Sequence, residues 1–258
     1  MKTDLLPQFP ANARILDAGG WFIPYHEATH IVDLMPYETR GGMLNLSPLA
    51  NERFSRETWH QADFLDPQFK LPFPDKFFDY SVCGHTVEDL ENPVPLLSEL
   101  RRVSLAGYIE TPSRLSEQTS GIRDRMTALQ GHPHHHWIVE SEGDQLLLSG
   151  KNISVQGPDL VPLRTYERKI AQGTGSPIMQ FQWRDNFKFI VLSDKEVTRR
   201  ANWLVESCMV SREDRILDPI IRNLRRIKRG LLHPTTEQTQ NWWEEMLKIS
   251  RPYSKIPL

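Results

Sequence analysis

Short apolar runs, each stopped by an acid or a glycine, set the rhythm of the first half of the chain. ARILD (13–17) and HIVDL (30–34) are aliphatic stretches between turn formers, the pattern of strands buried on both faces. TWHQAD (58–63), FDYSVCG (78–84) and GYIETPS (107–113) repeat it, the last stopped by Pro112. In NPVPLLSELRRV, Asn92 suits a cap and the prolines a first turn, while Leu96, Leu97, Leu100 and Val103 make one stripe, so a helix is expected. Residues 114–130 are polar with a weak helical pattern and predict a mobile covering segment. HHHWIVESEGDQLLLSGK, with Glu142, Gly143 and Asp144 between two apolar runs, predicts a β-hairpin.

Beyond Lys151 the pattern changes. NISVQGPDLVPL is loop-like, IMQFQWRDNFKFIVL alternates enough for one or two strands, and from Asp194 the chain reads as helix. DKEVTRRANWLVESCMV, REDRILDPIIRNLRRIKRG and TTEQTQNWWEEMLKIS are amphipathic. The fold class is therefore α/β: a doubly wound, mostly parallel, Rossmann-like sheet with an antiparallel edge hairpin and a helical C-terminal extension. Residues 1–150 are expected to form the main domain and 151–258 an accessory β/helical extension.

One count limits the opening unit. From Asp17 to His30 there are 14 residues, barely more than the roughly 10–12 that a parallel crossover needs. A full first helix does not fit, and Trp21, Phe22, Pro24 and Tyr25 stand where small residues and a helix would be expected. A dinucleotide pyrophosphate relies on a helix N-terminus as its anion site, so the short crossover argues against a nicotinamide enzyme.

Composition narrows the classes. Hydrophobic residues make up 39% of the 258 and charged residues 25%, with a formal net charge of -2, which excludes a global bias towards nucleic acid. Cys83 and Cys208 are read as reduced thiols of a cytoplasmic protein. No apolar stretch approaches the roughly 20 residues of a span, so neither a membrane partner nor secretion is expected. In RNLRRIKRG, Arg222, Arg225, Arg226, Lys228 and Arg229 read as a solvated basic face, with Ile220, Ile221, Leu224 and Ile227 lining the other side. No aromatic stacking platform accompanies them, so nucleic acid is not the expected partner. Trp242 and Trp243 are expected to pack on the domain or on a second subunit, which leaves a homo-oligomer open.

Residues 71–113, LPFPDKFFDYSVCGHTVEDLENPVPLLSELRRVSLAGYIETPS, resemble the class I S-adenosylmethionine-dependent methyltransferases: Leu-Pro-Phe, an Asp before the strand-four Phe-Asp, a His-x-x-Glu turn, a proline-led helix with Glu-Leu-x-Arg-Val, and Gly-Tyr opening strand five. ILDAGG is similar to the family's first glycine motif, and the resemblance covers about residues 13–150. It implies S-adenosylmethionine as cofactor, with Asp33 on the ribose hydroxyls and Asp63 on the adenine amino group. It places Asp17, Gly19 and Gly20 along the methionine portion, where a side chain would block the backbone's approach. His85, Thr86 and Glu88 follow strand four at the edge where ligands of open α/β sheets gather. The family's turn commonly continues with a second histidine, for which this chain has Asp89.

His85 serves both lists: it lines the cofactor cleft, and as an imidazole it is a candidate base for a hydroxyl or amine, or else only a pin for the turn. Glu110 needs a partner or a cleft, since burying a lone carboxylate is costly, and Arg114 is one candidate partner. In GHPHHHW, an extended chain would put His132, His134 and His136 on one face and His135 on the other. A metal site there lacks a recognisable ligand set, and the resemblance places this stretch beside the substrate opening. The expected catalytic set is His85, Glu88, Glu110, His134 and His136, with no metal. The expected reaction is methyl transfer to a hydroxyl or amine of a small molecule or glycan precursor. A non-catalytic partner-binding scaffold and a histidine-centred metal hydrolase are the alternatives.

Overall fold

The computed structural model describes residues 6–41, 51–122, 130–151 and 160–232. TTEQTQNWWEEMLKIS lies outside the described residues. The β-branched runs are the strands they promised: β1 (Ile15–Ala18), β2 (His30–Asp33), β3 (Trp59–Gln61), β4 (Tyr80–Gly84) and β5 (Ala106–Pro112). With β8 (Ile178–Arg184) they form a six-stranded sheet in the order β3-β2-β1-β4-β5-β8. The pairs β1–β2, β1–β4, β2–β3 and β4–β5 are all parallel. Because the order runs outward in both directions from β1, the carboxyl ends of β1, β2, β4 and β5 share one edge.

The first crossover contains no helix. Its apolar residues take the missing helix's place: Tyr25 and Ala28 are buried in the cluster that holds Ile15, Ile31, Trp59, Val82 and Tyr108, and Trp21 packs against it. The second half of the crossover logic is ordinary. α1 (Val94–Val103) buries Leu96, Leu97, Leu100 and Val103, the stripe read from sequence. Asn92 accepts from the Val94 amide, and the buried Glu99 accepts from the Leu71 amide and pairs with Arg102, which also donates to the Leu71 and Phe73 carbonyls. The Leu-Pro-Phe linker is thereby tied to the helix.

The described chain divides into two compact units. The first runs to Glu110 and includes Gln180–Lys188; the second holds Thr111–Met179 and the described residues from Phe189 onward. In the second unit the expected hairpin exists as β6 (Trp137–Glu142) and β7 (Gln145–Gly150), joined by a two-residue turn with Gly143 at φ +60°. It is not an edge of the parallel sheet, as the sequence suggested. It forms its own three-stranded sheet with β9 (Lys188–Val191), and the place beside β5 goes to β8. Both faces of this hairpin carry apolar positions: Ile138, Val139, Leu146, Leu147 and Leu148 are buried, more than an exposed edge pair requires.

Residues 114–121 also differ from expectation. They were read as a mobile cover because they are polar, yet Arg114, Ser116, Glu117, Gln118, Thr119 and Ser120 are all buried. Each finds a partner: Arg114 donates to Glu140 and Ser149, Gln118 to the Ala201 carbonyl and Thr119 to the Leu115 carbonyl. Polarity marks a surface only when the groups have no internal partners. α2 (Arg114–Glu117) starts this stretch, capped by the Ser113 hydroxyl, which accepts from the Ser116 amide. Three helices complete the unit: α3 (Leu163–Ala171), which the sequence reading passed over, α4 (Asp194–Ser207) and α5 (Arg212–Leu232).

Candidate active site

The parallel register sets the first unit's acids side by side. Asp17 lies opposite Ile31 and Val82, Asp33 opposite Gln61, and Glu110 opposite Gly84. Asp33 and Asp63 follow neighbouring strands, the Ala62 amide donating to the Asp33 carbonyl at 2.9 Å. Asp63 stands two residues past the end of β3 and accepts from the Leu65 amide at 2.9 Å, an Asx turn that fixes its carboxylate.

Asp17 and Asp33 are both buried, and both hold the short crossover. The Tyr25 amide donates to Asp17 Oδ2 at 2.8 Å, and the Trp21 and Met35 amides donate to Asp33 Oδ2 and Oδ1 at 3.0 and 2.9 Å. Burial raises Asp17 to about 7, opposed by the Tyr25 amide and helped by the charge of Asp33. Burial raises Asp33 to about 6, against the pull of its amide donors. The Trp21 indole N–H donates to the Thr39 carbonyl at 2.7 Å. A carboxylate oxygen can accept more than one hydrogen bond, so the Trp21 and Met35 amides leave Asp33 with acceptor capacity.

The glycine turn is tight. Gly19 has φ +83°, and a Cβ there would lie 1.9 Å from the Thr86 hydroxyl; a Cβ on Gly20 would lie 2.4 Å from Asp17 Oδ2. Gly19→Ala is therefore expected to cost at least about 2 kcal/mol, combining backbone strain and a clash. Urea unfolding of the variant checks this, and an unchanged midpoint would count against the packing described.

His85 sits after β4 with φ +54°. Its Nε2 is 3.2 Å from Glu110 Oε1 and its Nδ1 3.4 Å from Glu88 Oε1. Glu88 and Glu110 are each 1% exposed, whereas the imidazole is about half exposed and covers them. The longer contact is an ion pair without hydrogen-bond geometry, since neither Glu88 oxygen has a hydrogen-bond partner. The contact with Glu110, then that with Glu88, raises His85 to about 9 against burial. A value raised that far favours the imidazolium at neutral pH, held between Glu88 and Glu110. Glu110 accepts further from the Tyr108 hydroxyl at 2.5 Å and from Gln180 at 3.5 Å. Arg114 is not its partner. The sequence reading missed Tyr108, although a residue two before Glu110 in a strand points to the same face. Cys83 lies near Asp17 and Glu88 and is no nucleophile, because burial and then those charges push its thiol well above its ordinary value.

His134 and His136 belong to the second unit, where residues 131–136 form a turn and not the extended chain expected. The His135 amide donates to the His132 carbonyl, and the two rings stack at 4.7 Å, so the alternation of faces does not hold. His135 Nδ1 lies 2.6 Å from the fully buried Glu117, whose other oxygen accepts from Lys151 at 2.6 Å. Gly131 passes so close to Glu117 that a Cβ would lie 2.5 Å from its carbonyl oxygen.

A parallel sheet opening from β1, with acids at the ends of adjacent strands and a glycine turn over the first, defines a nucleotide-type α/β fold. The sequence matches the methyltransferase domain family over residues 28–107. Residues 28–107 are thus similar to a methyltransferase domain, in line with the resemblance to the S-adenosylmethionine-dependent class read from the sequence. The match starts after the glycine turn, in the part of the crossover that leads into β2. Among solved structures, a Mesorhizobium loti S-adenosylmethionine-dependent methyltransferase is 18% identical, with TM-score 0.30 over 42% of this chain and 50% of that one. One from Aquifex aeolicus is 16% identical, with TM-score 0.29 over 39% and 57%. A complex of the Haloferax volcanii Trm112 methyltransferase activator with a methyltransferase matches at 11% identity, with TM-score 0.37 over 67% and 83%. The chain spans about half the length of the first two. No curated protein matches it.

Proposed function

We propose that the protein transfers a methyl group from S-adenosylmethionine to a hydroxyl or amine of a small molecule or glycan precursor. The observation that carries this is the convergence of Asp17, Asp33, Asp63, His85 and Glu110 on the carboxyl edge of one parallel sheet. Asp33 would take the ribose hydroxyls on the lone pairs its amide donors leave, Asp63 the adenine amino group, and Asp17 with Gly19 and Gly20 the methionine portion. The bound cofactor supplies a methyl group on a sulfonium, and displacement at that carbon depends mostly on alignment.

His85 is assigned a positioning role here. Held protonated by Glu110 and Glu88, it donates, and its exposed ring offers the acceptor an edge to lie against. Glu110 would then carry the negative charge that steadies an amine or receives a hydrogen bond relayed through the imidazole. Transfer to a neutral amine needs no stronger base, because the amine can shed its proton to water after displacement. His134 and His136 are kept as candidates for acceptor contact on the strength of the sequence resemblance.

Calorimetric titration with S-adenosylhomocysteine tests the reading. Saturable binding is expected, weakened at least tenfold in Asp33→Ala. Heat from the wild type that Asp33→Ala fully retains would refute the assignment of Asp33. No heat with either the cofactor or its demethylated product would leave a non-catalytic scaffold.

A further inference from the structure

α5 is mounted with its polar side inward. Asp214 and Asp218 are 2% and 4% exposed, and they meet α3: Asp214 accepts from the Thr165 hydroxyl at 2.8 Å and from Arg168 at 2.7 Å, and Asp218 accepts from the Arg164 amide at 3.3 Å. Arg225 reaches Glu167 of the same helix at 3.8 Å. Ile220, Leu224 and Ile227, read from sequence as the packed side, are outside with Ile216, at 50%, 60%, 61% and 55% exposure. At about 100° per residue these four fall on one stripe. The contacts of Asp214 and Asp218 with α3 account for the inversion: the acidic side of α5 matches the Thr165 hydroxyl, the Arg168 guanidinium and the Arg164 amide.

Four half-exposed aliphatic side chains in a row mark an interaction surface. Its chemistry is set by what borders it. Arg215 and Arg226 flank the stripe on one side and Lys228 on the other, all exposed. The helix has seven basic and three acidic residues in a chain whose net charge is -2, and two of those acids are turned inward onto α3. The exposed acid at the N-terminal end of this side, Glu213, is outnumbered by Arg212, Arg215, Arg226 and Lys228. A flat anionic surface accepts both parts at once, with aliphatic groups below the headgroups and guanidinium and ammonium ends at the phosphates. Trp203 and Met209 of the same unit are exposed as well, at 59% and 82%.

We propose that α5 binds the surface of anionic lipid bilayers through Ile216, Ile220, Leu224 and Ile227, with Arg215, Arg226 and Lys228 on the lipid phosphates. The lack of a membrane-spanning helix among the described residues has no bearing on this, since the helix lies on the surface and does not cross it.

Co-sedimentation of the full chain with vesicles of phosphatidylcholine containing about one-third phosphatidylglycerol tests it. Saturable binding is expected, at least tenfold weaker with phosphatidylcholine alone and in high salt. The same tenfold loss is expected in the double variants Ile220→Asp with Leu224→Asp, and Arg215→Glu with Arg226→Glu. Circular dichroism and the S-adenosylhomocysteine titration show whether each variant is folded. No sedimentation with anionic vesicles overturns the proposal. So does a dimer in light scattering that the aspartate pair dissociates, which would make the stripe a seam between copies.

Discussion

Asp17→Asn is expected to make the protein more stable at pH 8 and a poorer binder of cofactor. Asp17 is buried beside Asp33, and its folded value of about 7 stands far above the ordinary 3.8. A carboxyl whose folded value is raised binds its proton more tightly folded than unfolded, so stability falls as pH rises from about 4 to about 7 and stays reduced above. Three units correspond to at most about 4 kcal/mol. Asparagine keeps an acceptor for the Tyr25 amide and carries no charge to desolvate. The variant should therefore melt several degrees higher at pH 8, at about 2–4 °C per kcal/mol for a chain of this size, with the gap closing towards pH 4. S-adenosylhomocysteine binding should drop at least tenfold, the familiar exchange of function for stability at a strained site. Scanning fluorimetry at pH 4.5 and 8 decides it: a variant less stable than the wild type at pH 8 would show that the charge of Asp17 is compensated in the folded protein.

That exchange was partly visible in the letters alone. Asp17 and Asp33 end β-branched runs, and a strand that ends in an acid at a sheet's carboxyl edge is readable from sequence. The 14-residue count from Asp17 to His30 excluded a helix, and none is there. Hidden from sequence was the second employment of both acids as anchors for the crossover, because a carboxylate's backbone partners depend on a loop path that periodicity does not encode. The same limit explains α5. Its stripe is plain in the spacing of Ile220, Leu224 and Ile227, yet which side turns inward was settled by Asp214 meeting Thr165 and Arg168, and Asp218 the Arg164 amide, of a helix that the reading had passed over. Leu163, Tyr166 and Ile170 after Pro162 were the available signal for that helix.

The buried polar stretch of the second unit carries the other large effect. Glu117 is fully buried, with His135 on one oxygen and Lys151 on the other, and the Lys151 ammonium also donates to the His132 carbonyl. Burial alone would raise its pKa, but the His135 bond and the Lys151 charge win and hold it below the ordinary 4.5. A depressed acid contributes stability that is present above about 4.5 and lost as pH falls through the folded value. Glu117→Gln leaves Lys151 buried without its counter-charge, and breaking such a pair from one side costs about 3–5 kcal/mol. Melting should fall by roughly 10 °C at pH 7, and the gap from the wild type should narrow in acid, where the wild-type carboxyl is neutral too. Lys151→Met should be nearly as damaging, because it strands the carboxylate. The double variant should recover part of the loss, since no lone charge then remains inside. A Glu117→Gln protein within about 1 kcal/mol of the wild type at pH 7 would mean that water reaches the cluster, and the polar residues 114–121 would then be the exposed cover their composition first suggested.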